Sequence, residues 1–308
     1  MAEADLMKMM WSDMIKDRRN ARTHAYVRYV LLAVVALVFG GLIYGGASLV
    51  ATVPPQNYVA VVRVTGPIAA DKSASAGALR PALERAFKDT SAKGVVLLIN
   101  SPGGTPVQAS LIHDYVLELK KAYNKPVVAV GEDLLTSGAY LVAVAADSIV
   151  VNRSTITGSI GVVSRGFGAV GLLEKLGVER RVLTAGDSKS RMDTFAPLTD
   201  ADKTAQLGLL AAIHGHFKDD VQEGRGPRLD MDTPDLFSGM VWTGDVAVKQ
   251  GLADKLGSLE TVVLDMGAKE SRDYTPSGSW AESVLSAVGV TLMQELSPRV
   301  SAQLMLSE

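Results

Sequence analysis

The apolar and polar positions of the chain change their period several times. From Val30 to Val53 there is no period: the run VLLAVVALVFGGLIYGGASLVATV is almost wholly apolar, and no charge occurs between Arg28 and Arg63. About 20 such residues cross the hydrocarbon core of a bilayer. The run starts too far into the chain for a cleaved signal peptide, so the pattern predicts a retained transmembrane helix over 30–53. After Pro54-Pro55 the chain alternates between two patterns. Residues 57–65, 94–100 (GVVLLIN), 126–131 (PVVAVG) and 148–152 (SIVVN) read as strands, 156–163 (ITGSIGVV) as strand-like, and 179–185 as a further strand. Between them lie helical periods. Leu79, Leu83 and Phe87 recur every four residues within 78–90, as do Val107, Leu111, Tyr115 and Leu119 within 106–123. Further helices are expected over 137–146, 167–177 and 200–222, and in a tail, 279–306, broken near Pro298.

Continuous apolar strands alternating with helices imply an α/β fold whose largely parallel sheet is covered on both faces. The expected organisation is a tail over 1–29, a membrane helix over 30–53, one domain over 54–278 and a helical C-terminal tail over 279–308. Residues 3–18 fit either a short amphipathic helix or a solvated tail.

Charge orients the span. Lys8, Lys16, Arg18, Arg19, Arg22 and Arg28 precede it, and the nine positions after Val53 hold no basic residue. The positive-inside bias then places the N-terminus in the cytoplasm and residues 54–308 on the other side of the membrane. Tyr26, Tyr29 and Tyr44 are candidates for the membrane interface.

Composition excludes several classes. With 47% hydrophobic and 21% charged residues and a mean hydropathy of +0.19, the chain is not mainly disordered. Outside 30–53 its charges have ordinary density, which excludes a multispanning transporter. A net charge of −2 offers no basic field for nucleic acid. The absence of cysteine excludes disulfides, thiolate metal sites, iron–sulfur clusters and a cysteine nucleophile. No HExxH or other metal-binding pattern occurs, and no cofactor is expected.

In open α/β sheets, ligands gather at the carboxyl ends of strands. Two such ends are distinctive: Asn100-Ser101-Pro102-Gly103-Gly104 and Thr136-Ser137-Gly138-Ala139-Tyr140. Glycines there allow amide N–H groups to face a ligand. Ser137 reads either as a helix cap or as a nucleophile facing such amides. A nucleophile needs a base. His24 lies before the span, His113 falls mid-helix on the polar side of its pattern, and His214 and His216, two apart, do not share a helix face. Each reads as structural or exposed. A lysine is the remaining candidate, and it must be desolvated to act as a base. Lys189, in the loop TAGDSKSRMDTFAPL, is the best placed locally, with a solvated loop lysine as the plain alternative.

Four stretches, taken in order, resemble the SppA-type signal peptide peptidases, membrane-anchored serine peptidases of the ClpP/crotonase superfold. They are VVLLINSPGG, TSGAYLVAVAADSIVVNRSTITGSIGVV, TAGDSKS and FSGMVWTGDVAVKQGLADKLGSL. The resemblance spans roughly residues 57–265. It implies a ClpP/crotonase-like fold with Ser137 as nucleophile and Lys189 as general base. It further implies Gly104 and Gly138 as oxyanion donors and Ser159 as the residue that orients the lysine. The implied substrates are signal peptides or other peptides and unfolded chains at the membrane, and the implied assembly is a homo-oligomer. Ala139 stands where the family has a second glycine, Thr136 where it has alanine, and Asp187-Ser188 where it has a basic or small residue and an aromatic. A silent scaffold of the same fold, a protease maturing specific membrane proteins and an acyl-CoA enzyme are the rival readings.

Overall fold

The computed structural model describes residues 29–37 and 57–275. Residues 29–37 are helical, which covers the first part of the expected span. Residues 38–53, the tail before residue 29 and the tail over 279–308 lie outside the described residues. Among the described residues no helix is long and apolar enough to cross a membrane. Residues 1–55 and 56–308 form separate units, and the sheet and the candidate site both belong to the second.

Alternation within the first strand, β1 (Tyr58–Thr65), shows how the sheet is built. Tyr58, Ala60, Val62 and Val64 enter one apolar cluster, whereas Val59 and Val61 enter another on the opposite face. Successive side chains of a strand point to opposite faces, so a strand buried on both reads as an unbroken apolar run. The same holds for β2 (Ala92–Ser101) and β3 (Val127–Thr136). The short strands are β4 (Ser148–Val151), β5 (Ile156–Gly158), β6 (Val241–Thr243), β7 (Lys255–Leu256) and β8 (Glu270–Asp273). The main path of the sheet runs β6-β5-β3-β2-β1-β8, with β4 and β7 branching from β3. Every pairing is parallel except β5 with β6.

The branch has a cause within β3. Its first half pairs with β4 from Val128↔Ser148 to Gly131↔Val151, and its second half pairs with β5 from Leu134↔Ile156 to Thr136↔Gly158. Between them the register with β2 shifts after Ile99. The extra residues bend the strand, and its far half, paired with β5, ends at Thr136, just before Ser137.

The larger cluster is covered by α1 (Ala76–Lys88), α2 (Pro106–Tyr123), α3 (Gly138–Ala143) and the C-terminal half of α5 (Asp200–Arg225). The other face is covered by α7 (Leu259–Asp265) through Val262 and Val263. Two further helices, α4 (Val170–Leu176) and α6 (Gly244–Lys249), complete the set. Leu79, Leu83 and Phe87 are buried along α1, as their spacing predicts.

Three expectations are corrected. Residues 179–185 form no strand, and nearly everything from Ser164 to Thr199 is exposed. An alternating segment becomes a strand only when a neighbouring strand accepts its hydrogen bonds, and here none does. Helix α2 is rotated from its expected face. Ala109, Ile112, Val116 and Leu119 are buried, whereas Val107 is 67% exposed and Leu111 is exposed too. His113, expected on the polar side, is 6% exposed, with Nδ1 2.9 Å from Asp114 Oδ1.

Candidate active site

Ser137 sits between β3 and α3 in a conformation that serine rarely adopts, with φ 55° and ψ −127°. Its N–H donates to Gly158 O at 2.9 Å, which ties the turn to β5, and its carbonyl accepts the Leu141 N–H at 3.1 Å. The side chain makes no capping hydrogen bond to the helix it precedes. It is half-buried, with its hydroxyl uncommitted among the described residues. A strained residue at a strand–helix turn, pinned by its own backbone, is the arrangement that lifts a nucleophilic hydroxyl clear of its helix.

The glycine turn after β2 is packed against it. Gly103 has φ 89°, and a Cβ there would fall 2.7 Å from Gly138 N and 2.8 Å from Ser137 Cβ. A Cβ on Gly104 would overlap the Ile68 carbonyl. Only glycine lets the two chains meet so closely. Ser101 is buried and its hydroxyl accepts the Gly103 N–H at 3.1 Å, fixing the turn. Gly104 bridges to Ile68 through Gly103 O and the Thr105 N–H, so its own N–H points the other way. Gly104 N lies 3.3 Å from the point that a Cβ on Gly138 would occupy. The Gly138 N–H belongs to the first turn of α3, where no intrahelical acceptor exists. The backbone of the Gly103-Gly104 turn and that of Ser137-Gly138 thus lie side by side, with the amide nitrogens of Gly104 and Gly138 in one small region.

These residues open into a cavity of about 490 Å³ that contains Gly104, Ser137 and Gly138 in its lining. Its apolar wall is built by Val107 and Leu111 of α2, Leu141 of α3, and Ile213 and Phe217 of α5. The rotation of α2 has its explanation here: the two residues absent from the core face line the cavity. His216, which the sequence read as structural or exposed, and Asp220, which it did not single out, also line it. Val107 and Leu111 were visible as apolar positions. Nothing in the local pattern marked Asp220, which reaches the cavity only because α5 crosses α3.

Ala139 causes no distortion. It is fully buried within the first turn of α3, outside the positive-φ region where glycine alone is at ease. Ser159 follows the residue that pins Ser137. It has φ 53°, and its N–H donates to Met240 O at 2.7 Å. Lys189 stands apart. It lies in an exposed turn, its N–H bonded to Gly186 O at 3.1 Å, and it lines a separate open depression with Thr184 and residues 190–195. The single chain thus brings Gly104, Ser137 and Gly138 together and does not bring Lys189 to them. Among the described residues no group of His, Asp or Glu is placed to hold a metal ion.

The fold and this geometry define an α/β protein with a strained serine packed against a glycine turn at the carboxyl end of a largely parallel sheet. A family model described as Peptidase family S49 matches residues 119–272, half of the chain, and the chain belongs to that family. Among its relatives, the putative signal peptide peptidase SppA of Enterococcus faecium is 33% identical over 194 residues, covering 62% of this chain and 54% of that one. A protein of Brucella abortus (strain 2308) named Na(+)/H(+) antiporter NhaA is 46% identical over 179 residues, or 58% of this chain. This chain spans 24% of that protein's length, so most of the protein bearing that name lies outside the match. Among solved structures, a mutant of the 1510-N membrane-bound stomatin-specific protease aligns with 72% of this chain and 99% of its own. The identity is 14% and the TM-score 0.47.

Proposed function

We propose that this protein is a membrane-anchored serine endopeptidase of ClpP/crotonase-like fold. It would cut signal peptides or other membrane-associated peptides with a Ser137–Lys189 dyad. The observation that carries the reading is the strained Ser137, packed against the Gly103-Gly104 turn and lining a largely apolar cavity together with Gly104 and Gly138. Membership of peptidase family S49 and a relative named as a putative signal peptide peptidase support it. The anchor is residues 30–53, with the N-terminus in the cytoplasm and the catalytic domain on the far side of the bacterial inner membrane.

In this mechanism Ser137 Oγ attacks the peptide carbonyl carbon while neutral Lys189 Nζ takes the hydroxyl proton. The carbonyl oxygen becomes an oxyanion held by the two glycine amides. Collapse of the tetrahedral adduct breaks the C–N bond, and Lys189 passes its proton to the departing amine. Lys189 then activates water, which hydrolyses the ester and restores Ser137. Ser159 orients the lysine. Residues 164–199 carry Lys189 on an arm exposed in the single chain. The dyad therefore closes when that arm is packed in a homo-oligomer, which also desolvates the amine.

The test is digestion of a peptide library read by mass spectrometry, with full-length protein in detergent. Wild-type protein should cut apolar peptides. Ser137→Ala, Lys189→Ala and Lys189→Arg should each abolish cutting. Arginine keeps the charge but cannot act as a base, so near-normal turnover by Lys189→Arg would end the dyad proposal. A serine-directed fluorophosphonate that failed to label wild-type Ser137 would favour a silent scaffold.

A further inference from the structure

We propose that Asp220 is a specificity-determining residue of the Ser137 cavity, accepting the positively charged head of a lysine or arginine side chain next to the scissile bond. The proposal rests on the peptidase reading and goes beyond it in naming a substrate class.

The lining of the cavity is of two kinds. Val107, Leu111 and Phe217 are apolar, whereas Asp220, one turn from His216 on α5, is a half-buried carboxylate that also borders a neighbouring cavity with His113, Lys120, Glu223 and Arg228. Asp220 makes no ion pair and no side-chain hydrogen bond among the described residues, and the cations close to it are already committed. Lys120 Nζ is held by Asp147 Oδ1 and Ala145 O, both at 2.8 Å. The Arg228 guanidinium is shared among Arg225 O, Asp147 O and Asp254. His113 turns its Nδ1 to Asp114. Burial, followed by the charges of Asp114, Glu223 and Asp219, holds the Asp220 carboxyl above its ordinary range against the opposing His113. Among the described residues the carboxylate has no hydrogen-bonded or ion-paired partner of its own, and a ligand cation would supply one.

A lysine or arginine side chain suits both kinds of lining. Its methylene stem covers apolar surface while its head reaches a polar site. An apolar side chain would fill the same wall and leave Asp220 as it is. The cleft is therefore expected to accept both kinds of residue, with Asp220 setting their ratio.

The experiment measures kcat/KM of the full-length protein in detergent. The substrates are two fluorogenic peptides identical except for leucine or arginine before the scissile bond, each with a free and an acetylated N-terminus. Asp220→Asn should lower cleavage of the arginine peptide by about tenfold to a hundredfold and change the leucine peptide by less than about threefold. Retained leucine cleavage shows that the variant is folded. In the wild type, added salt should weaken the arginine preference by screening the pair, which needs no variant. An arginine-to-leucine ratio indifferent to both Asp220→Asn and salt overturns the proposal while leaving the peptidase reading intact. A loss that follows N-terminal acetylation instead of the arginine side chain overturns it too, by assigning Asp220 to the peptide's terminal ammonium. Failure of wild-type protein to cut either peptide, with no fluorophosphonate labelling, would overturn both readings.

Discussion

Ser137 carries the clearest conflict between stability and function. Its φ of 55° and ψ of −127° suit glycine and cost other residues about 1–3 kcal/mol. Glycine would relieve that cost but adds about 0.4–1 kcal/mol through the freer unfolded chain. Ser137→Gly is therefore expected to be about 1 kcal/mol more stable than Ser137→Ala, with both variants inactive. Thermal denaturation followed by circular dichroism compares them directly; equal midpoints would mean that the turn stores no strain. The glycines opposite Ser137 were legible as a motif, because only their lack of a side chain lets the two turns touch. The strain was not, since Ser137 is held by a hydrogen bond to Gly158 O on another strand, a partner that only the folded sheet supplies. Lys189 was the best-placed local candidate, but nothing in its loop separates a base from a solvated lysine, and only the resemblance gave it the role. Asp220 was hidden, because a lone acid on a long helix looks like any solvated one.

Among the elements, α5 shows how a helix end holds a site. Its first half is largely exposed, while Phe217, Val221 and Arg225 are buried. Arg225, 1% exposed, donates to both Asp254 oxygens at 2.8 and 3.0 Å and to Gly251 O. Asp254 also accepts the Ile149 N–H at 2.6 Å, joining the helix to β4. Burial tends to raise the Asp254 pKa, but the Arg225 hydrogen bonds, the Ile149 amide and the charges of Arg225 and Arg228 outweigh it and hold the carboxyl below its usual range. A depressed carboxyl pKa contributes stability that is present above the unfolded value of about 3.9 and lost as pH falls through the folded one. Arg225→Met should cost about 3 kcal/mol at pH 7 by leaving that carboxylate without its main partner. The deficit should shrink towards pH 4, where Asp254 of the variant, still partly buried and without the guanidinium, can take up a proton while that of the wild type stays ionised. Urea unfolding of both proteins at the two pH values checks this; a constant deficit would show that the loss is one of packing. The central strands and α1 were legible because their apolar pattern is satisfied within the sheet. Residues 179–185 were misread because alternation records a tendency to pair and not the presence of a partner.

At the scale of the whole molecule, the exposed arm of residues 164–199 leaves a long series of apolar side chains uncovered. Leu183 is 99% and Phe167 91% exposed, in a stretch that also exposes Leu172, Leu176, Val178 and Leu198. Apolar patches of this extent mark interaction surfaces, in keeping with the proposed homo-oligomer. A double variant, Phe167→Glu with Leu183→Glu, should leave the melting of the sheet core nearly unchanged, since neither side chain touches it. It should sediment as a single chain in detergent and lose peptide cleavage. Cleavage preserved by a chain that sediments singly would place the assembly of the dyad within one protomer.

The pairing of β8 with β1 also has a consequence in time. Strand β1 is made early, and until Glu270–Asp273 arrive one of its edges has no partner. At about 5–20 residues per second the interval is roughly 10–40 s, long compared with collapse of the strands already made. Throughout it an apolar strand offers open backbone groups to any other extended chain. The growing protein is then most vulnerable to mispairing just before its synthesis passes β8, and binding by a chaperone during that interval would protect this edge more than any other part of the sheet.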